Sequence, residues 1–556
     1  PPRDGGSSYA PRDGGERNLL ASLRGRRVGF LPHAVDQLLH ADVEADGGGP
    51  REGREYLIPV FVDSHIHIES SMLTPVEFSR VALRHGTVAT VSDAHEIANV
   101  SGIEGVMFMI ENARQSPLKF YFSAPSCVPF DSGAGFSITP ADVEELMKLP
   151  DVNHLGEVMD VPGVLNSSEE LLEKIAITRK YKKAVDGHAP GLSGEALKKY
   201  AAAGITTDHE CVKIAEALEK IACGMKIQIR EGSAAKDFDN LYPLLSTHPE
   251  SCMFSSDDRH PDDLLKGHIN HLVKKAVALG IDPINAMKAA SLNPTLHYGL
   301  DCGLLRAGDS ADFLIVDNLC DFTVLKCFIR GEAVSDSGGV YVESLKTSFK
   351  YAFNAGFKRP EDFAVKANRR KVNVIEAFNG SLVTSRGVHE IKIEGGNAAA
   401  DIENDILKIA LISRYKDSPP VIGFIKNTGF KNGAIASSVN HDAHNIIAAG
   451  SDDESLAKAV NMVIKARGGI SAVSAGGDCD ILELPIGGII SDMPCEAVEE
   501  KYRRLEEIVE TGIKTTLTAP FMTLSFMSLF VIPALKMSSA GLFDSQNYRV
   551  IDLFDC

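Results

Sequence analysis

The stretch Ile58-Pro59-Val60-Phe61-Val62-Asp63-Ser64-His65-Ile66-His67 carries a short apolar run straight into two histidines two positions apart. Side chains at i and i+2 of a strand share a face, so His65 and His67 can each aim one nitrogen at a single ion. A brief apolar run ending in ligand-type residues is also how a parallel barrel strand reads, with its functional groups at the carboxyl end. Taken alone, such a pair is equally an ordinary pair of loop histidines.

Outward from it, the runs Thr87 to Val91 and Lys226 to Ile229 are separated by amphipathic text such as Glu169 to Lys180 and Ile214 to Ile221. Strands alternating with helices argue for a parallel sheet with crossover helices, and their repetition suits a barrel closed by eight such units. After Asn293-Pro294 the texture shifts to Gly303, Gly308, Ala311 to Val316 and Phe328 to Val334, which read as short antiparallel strands. The expected fold class is therefore α/β. It comprises a (β/α)8 TIM-like barrel over residues 56–300, a small β-sandwich segment over 301–345 and a C-terminal α+β domain over 346–556. Residues 1–55 carry PRDGG twice, at Pro2 to Gly6 and Pro11 to Gly15, and read as loosely packed or disordered.

At 556 residues the chain exceeds what one hydrophobic core can organise. A formal charge of -18 offers phosphate no net attraction, which argues against nucleic acid as a partner. Ten cysteines without CxxC pairs suit reduced thiols in the cytoplasm. The longest apolar block, Phe521 to Ile532, is broken by Thr523, Ser525 and Ser528 and bounded by Pro520 and Pro533, so it reads as buried core and not as a membrane span. The N-terminal text lacks the apolar stretch of a secretory signal.

Further ligand-type residues follow the histidine pair, each at the end of another apolar stretch: Glu157, His188, His209 and Asp257. Four imidazoles and two carboxylates in that order suit a two-metal site, in which a bridging carboxylate holds the ions roughly 3.5 to 4 Å apart. Asp93, His95 and Glu96 follow Thr87 to Val91 and are candidates for contacts to substrate or to the ligands, although an aspartate there is also a common helix cap. Arg230, Glu231 and Ser233 close another strand-like run, with a buried ion pair as the plainer reading. Arg259 and His260 either touch substrate or cap their loop. His441 and His444 have the wrong spacing for HExxH and read as structural or regulatory, with part of an active-site lid as the sharper alternative.

Most of these residues sit within DSHIHIESSMLTPVEF (Asp63 to Phe78), DAHEIANV (Asp93 to Val100), GEVMDVPGVL (Gly156 to Leu165), DGHAPGLSG (Asp186 to Gly194), DHEC (Asp208 to Cys211), IREGSAAK (Ile229 to Lys236) and SDDRHPDDL (Ser256 to Leu264), and PSCVPF (Pro125 to Phe130) adds to the ordered text. So much ordered text resembles the amidohydrolase superfamily and, within it, the adenine deaminase family, from Tyr56 nearly to the end. The resemblance implies hydrolysis of adenine to hypoxanthine and ammonia. It assigns His65 and His67 to one metal, His188 and His209 to a second, Glu157 as the catalytic bridge and Asp257 as a metal ligand that also accepts the water proton. It also implies manganese or iron, with zinc compatible, and a homodimer. Val60 departs from the family, which usually has glycine there, and residues 1–54 show little of the strand pattern that relatives place ahead of the barrel. A cyclic-amide hydrolase is disfavoured because those relatives place lysine where Glu157 stands. An inactive binding module is disfavoured because unpaired buried carboxylates are costly to keep.

Overall fold

The computed structural model describes residues 55–130 and 135–554, together with the backbone of Val28–Phe30. The PRDGG repeats lie outside the described residues. β1 (Val28–Phe30) and β2 (Glu55–Ile58) precede the barrel. Its strands are β3 (Phe61–Ile66), β4 (Thr87–Ser92), β5 (Lys119–Ala124), β6 (Val152–Val158), β7 (Ala184–Gly187), β8 (Thr207–Asp208), β9 (Lys226–Arg230) and β10 (Cys252–Ser255). All pair in parallel, as β3-β4-β5-β6-β7 and as β8-β9-β10. The Thr206 amide bridges to the Val185 carbonyl at 2.9 Å, joining the two sets. Asp257 closes the ring, donating its amide to the His65 carbonyl at 3.0 Å and accepting from the His67 amide at 3.3 Å.

β3 and β4 are buried at every position, as parallel strands covered on both faces must be. The crossovers follow local rules. Thr139 opens the helix Pro140–Met147 with a reciprocal cap, accepting from the Asp142 amide while the Asp142 carboxylate accepts from the Thr139 amide, and Pro140 fills the first turn.

The strands expected after residue 300 are present as β11 (Phe313–Val316), β12 (Val324–Ile329), β13 (Glu332–Asp336) and β14 (Gly339–Val340). They do not stand alone. A six-stranded sheet runs β1-β2-β11-β12-β13-β14, so two of its members come from ahead of the barrel. Val28–Phe30, within the stretch much of which reads as loosely packed or disordered, pairs in parallel with β2; the sequence there is too short to show alternation.

The C-terminal region holds an eight-stranded sheet ordered Ser385–Glu390, Lys371–Glu376, Val421–Lys426, Ile406–Ile412, Ile446–Gly450, Ala434–Ser437, Gly469–Val473 and Cys479–Glu483. The helix Asp453–Ala466 buries Leu456, Val460, Val463 and Ile464 against it, one helical face in a separate apolar cluster. This region is clamped onto the barrel: the Ser491 amide bonds the Met72 carbonyl at 2.9 Å, and Arg84 pairs with Glu496 at 2.7 Å. Phe521–Leu529 is buried, as its composition predicts. Among the described residues no helix is long and apolar enough to cross a membrane.

Candidate active site

The six expected ligands stand on or just beyond the carboxyl ends of β3, β6, β7, β8 and β10, and they converge. The Asp93 carbonyl lies 3.0 Å from His67 Nδ1. A carbonyl only accepts, so that nitrogen carries a proton and the ring turns Nε2 toward the acids. Nε2 then faces Asp257 Oδ1 at 3.2 Å and Glu157 Oε1 at 3.4 Å. His65 Nε2 lies 3.7 Å from Asp257 Oδ1, and its ring stacks on His209 with centroids 4.1 Å apart. The other Glu157 oxygen, Oε2, faces His188 Nδ1 at 2.8 Å and His209 Nε2 at 3.0 Å. Glu157 thus turns one oxygen to His67 of the first histidine pair and the other to both histidines of the second, as a bridging carboxylate would.

Two features behind the ligands hold Glu157 in place. Asp93 accepts the Glu157 amide at 2.8 Å and the Ser123 hydroxyl at 2.6 Å. Gly156 permits that approach, because a Cβ at this position would overlap the Asp93 carboxylate. Asp257 adopts a left-handed backbone, φ 53°, an uncommon conformation for a residue with a side chain and one concentrated at functional sites. Its Oδ2 takes a 3.0 Å hydrogen bond from Arg230, leaving Oδ1 toward the imidazoles.

Burial pushes both carboxyls upward, but their neighbours outweigh it. The charges and hydrogen bonds of His188 and His209 hold Glu157 well below the usual range. A hydrogen bond from His67 and the charges of His209 and Arg230 do the same for Asp257. Asp258 goes the other way, raised by burial and by the Asp257 charge.

Six carboxylates, Glu96, Glu157, Glu210, Asp257, Asp258 and Asp442, line the cavity with Arg230 as the one guanidinium. Burying each carboxylate unpaired costs on the order of several kcal/mol, so this excess calls for cations. His65 Nε2, His188 Nε2 and His209 Nδ1 are buried without a hydrogen-bond partner. The groups His65–His67–Asp257, His65–Glu157–His209 and His188–His209–Glu210 each bring their donor atoms within 4.8 Å. These residues fit divalent cations, and an all-imidazole and carboxylate set suits manganese, iron or zinc. Met159, Leu382, Phe526, Leu529 and Ile532 supply the apolar wall.

Of the other candidates, His95, Glu96 and Arg230 line the cavity and Asp93 lies behind it, whereas Glu231, Ser233, Arg259 and His260 do not line it. Glu231 pairs with Lys275 at 3.0 Å and Ser233 donates to Asp263 at 2.8 Å. Arg259 serves the carbonyls of Glu231 and Asp263, and His260 Nδ1 meets the Tyr502 hydroxyl at 2.6 Å.

Sequence reasoning missed Glu210, Asp258 and Asp442. The first two adjoin chosen ligands, where period-two alternation argues against picking a neighbour; that rule lapses because both lie beyond their strand ends. Asp442 Oδ2 reaches to 3.6 Å from His95 Nε2, and both His441 and His444 bind the Glu96 carboxylate. The histidines read mainly as structural or regulatory thus meet a carboxylate that lines the cavity.

An eight-stranded parallel barrel with imidazoles and acids gathered at its carboxyl rim defines a hydrolase of the amidohydrolase class. Residues 56–334 match the amidohydrolase family and residues 381–549 the adenine deaminase C-terminal domain. Adenine deaminase from Salinibacter ruber is 47% identical over 90% of this chain and 92% of its own length. That from Sulfurovum sp. is 48% identical over 89% and 92%, and that from Methanosarcina mazei 46% over 90% and 93%. The chain belongs to the adenine deaminase family.

Proposed function

We propose that this protein hydrolyses adenine to hypoxanthine and ammonia, with His65, His67, Glu157, His188, His209 and Asp257 holding two divalent cations, manganese or iron. The observation that carries the chemistry is Glu157, one of whose oxygens faces His67 and the other His188 and His209. The substrate follows from membership of the family. When bound, such cations supply Lewis-acid polarisation and make water acidic enough to attack near neutral pH.

The side chains supply the rest. Asp257, anchored through Oδ2 by Arg230, offers Oδ1 to take the proton of the attacking water. It returns that proton to the exocyclic nitrogen at C6 as the C–N bond breaks, so ammonia leaves and not amide ion. The apolar wall of Met159, Leu382, Phe526, Leu529 and Ile532 suits the flat faces of a purine and keeps bulk water from the reacting carbon. The test is direct: protein prepared with manganese is given adenine, and loss of its ultraviolet absorbance is followed with ammonia release. Equal rates of both are expected; absence of turnover in fully metal-loaded protein would reject the reading.

A further inference from the structure

The metal-side cavity is small in this structure. Its volume is about 20 Å³, room for about one water and far below what a purine needs. Beside it lies a second, larger cavity of about 310 Å³, within the range of small-molecule sites. Met159 lines both. So do the two faces of one short segment: Phe526, Leu529 and Ile532 look onto the metal ligands, while Phe530 and Val531 look into the second cavity.

The second half of that segment, Leu529–Ile532, is the less tied part. Met527 is anchored, its carbonyl taking the Met537 amide at 2.7 Å, whereas Leu529–Ile532 holds itself by turn bonds, Leu529 amide to Phe526 carbonyl and Ile532 amide to Leu529 carbonyl. Met527 belongs to the main core, but Phe526, Leu529 and Ile532 join Leu382, Ala234 and Met522 in a small separate cluster, so displacing Leu529–Ile532 leaves the barrel packing intact. One end is fixed. Lys536 Nζ, fully buried, donates to the carbonyls of Phe526 at 3.0 Å and Leu382 at 2.7 Å.

The second cavity offers aromatic surface to a planar ring, and Asp160, Glu170 and Lys174 also line it. Phe130 and Phe530 stack with centroids 4.4 Å apart along its wall, and Tyr548, 57% exposed, stands at its rim. Exposure falls inward from Tyr548, Pro162 and Glu170 to the buried Ser126 and Met159.

From this arrangement we infer that the cavity bounded by Cys127, Phe130, Met159, Phe530 and Tyr548 is a vestibule that receives the free purine base. The stretch Leu529–Ile532 is then the gate between vestibule and metals. The inference deepens the adenine reading and rests on it for the identity of the ligand, but the route itself can be tested with a different probe.

Cys127→Trp fills the vestibule from its floor and Ser168→Trp from nearer its rim. Two rates are measured on each metal-loaded variant: kcat/KM for adenine, and the rate at which 1,10-phenanthroline, a planar aromatic chelator, strips the metal. Both are expected to fall by about tenfold or more in Cys127→Trp, and less in Ser168→Trp, with metal content and unfolding temperature unchanged, because access and not chemistry is obstructed. Parental values of both rates in a folded variant would overturn the vestibule. Should Cys127→Trp fail to fold, Ser168→Trp decides. If the parent protein does not act on adenine at all, the functional reading fails, while the chelator rate still reports on the route.

Discussion

His65, His67, Glu157, His188, His209 and Asp257 stand on or just past barrel strands, whereas Leu382, Asp442, Phe526, Leu529 and Ile532 approach from loops of the C-terminal region. The first group is held by a closed ring of parallel strands, whose last bond runs through the Asp257 backbone itself. The second is held by a few long-range side-chain bonds, chiefly Glu96 with His441 and His444, and Lys536 with two carbonyls. A ladder-borne floor keeps donor atoms in place for chemistry. A roof on local turns can move and readily affects access and affinity. Damage to the two should therefore look different.

The largest effect is expected on the floor. Glu157→Ala should lower turnover of adenine by about 10³-fold or more and reduce bound metal, read by elemental analysis of the purified protein. Asp257→Asn should lower kcat by about 10² to 10⁴-fold, the range for losing a positioned proton acceptor. If either variant keeps parental activity, that residue leaves the mechanism and the distinction between floor and roof loses its basis.

Next comes the bond between the two regions. Glu96→Ala leaves His441 and His444 buried without their carboxylate and should destabilise the fold by about 3–5 kcal/mol, the cost of breaking a buried pair from one side. A denaturant midpoint equal to the parent's would mean that the roof is held elsewhere.

Lys536→Met should act mainly on affinity, raising KM by about tenfold with kcat within about twofold, because the roof loosens while the ligands stay put. It should also change how stability depends on pH. Burial lowers the Lys536 pKa from 10.5 to about 7, so between those values the unfolded chain carries a proton that the folded chain lacks. Stability contributed at this position therefore rises with pH across that window and is least below pH 7. Melting temperatures of parent and variant should diverge as pH climbs from 7 toward 10; a constant difference would remove the titration from the account. The smallest effect is expected at Glu231→Gln, which alters a pair with Lys275 outside the cavity and should leave kcat/KM within about twofold.

The barrel and the six proposed ligands were legible because their signals are local. These residues follow brief apolar or strand-like runs, so pattern and chemistry coincide within a few residues. Placement of the remaining candidates was less legible. Arg230, Glu231 and Ser233 occupy one short stretch, yet only Arg230 turns into the cavity, since the backbone bends after β9 in a way no periodicity records. Arg259 and His260 follow Asp257-Asp258 and are drawn off to carbonyls and to Tyr502. Val28–Phe30 escaped notice because three residues cannot display a strand period, and its partner β2 lies beyond a long intervening stretch.

Residue order alone determined the strand-and-helix alternation, the imidazole and carboxylate donor set, and the acidic character of the chain, since each depends on composition or on spacing over a few positions. Tertiary structure alone decided that Glu96 meets His441 across 345 positions, that Asp442 reaches His95, and that Phe526–Ile532 roofs the ligands. Those pairings have no sequence period. They depend on where ring closure and the docking of a separate sheet bring distant loops, and loop side chains acquire their geometry only from what they pack against.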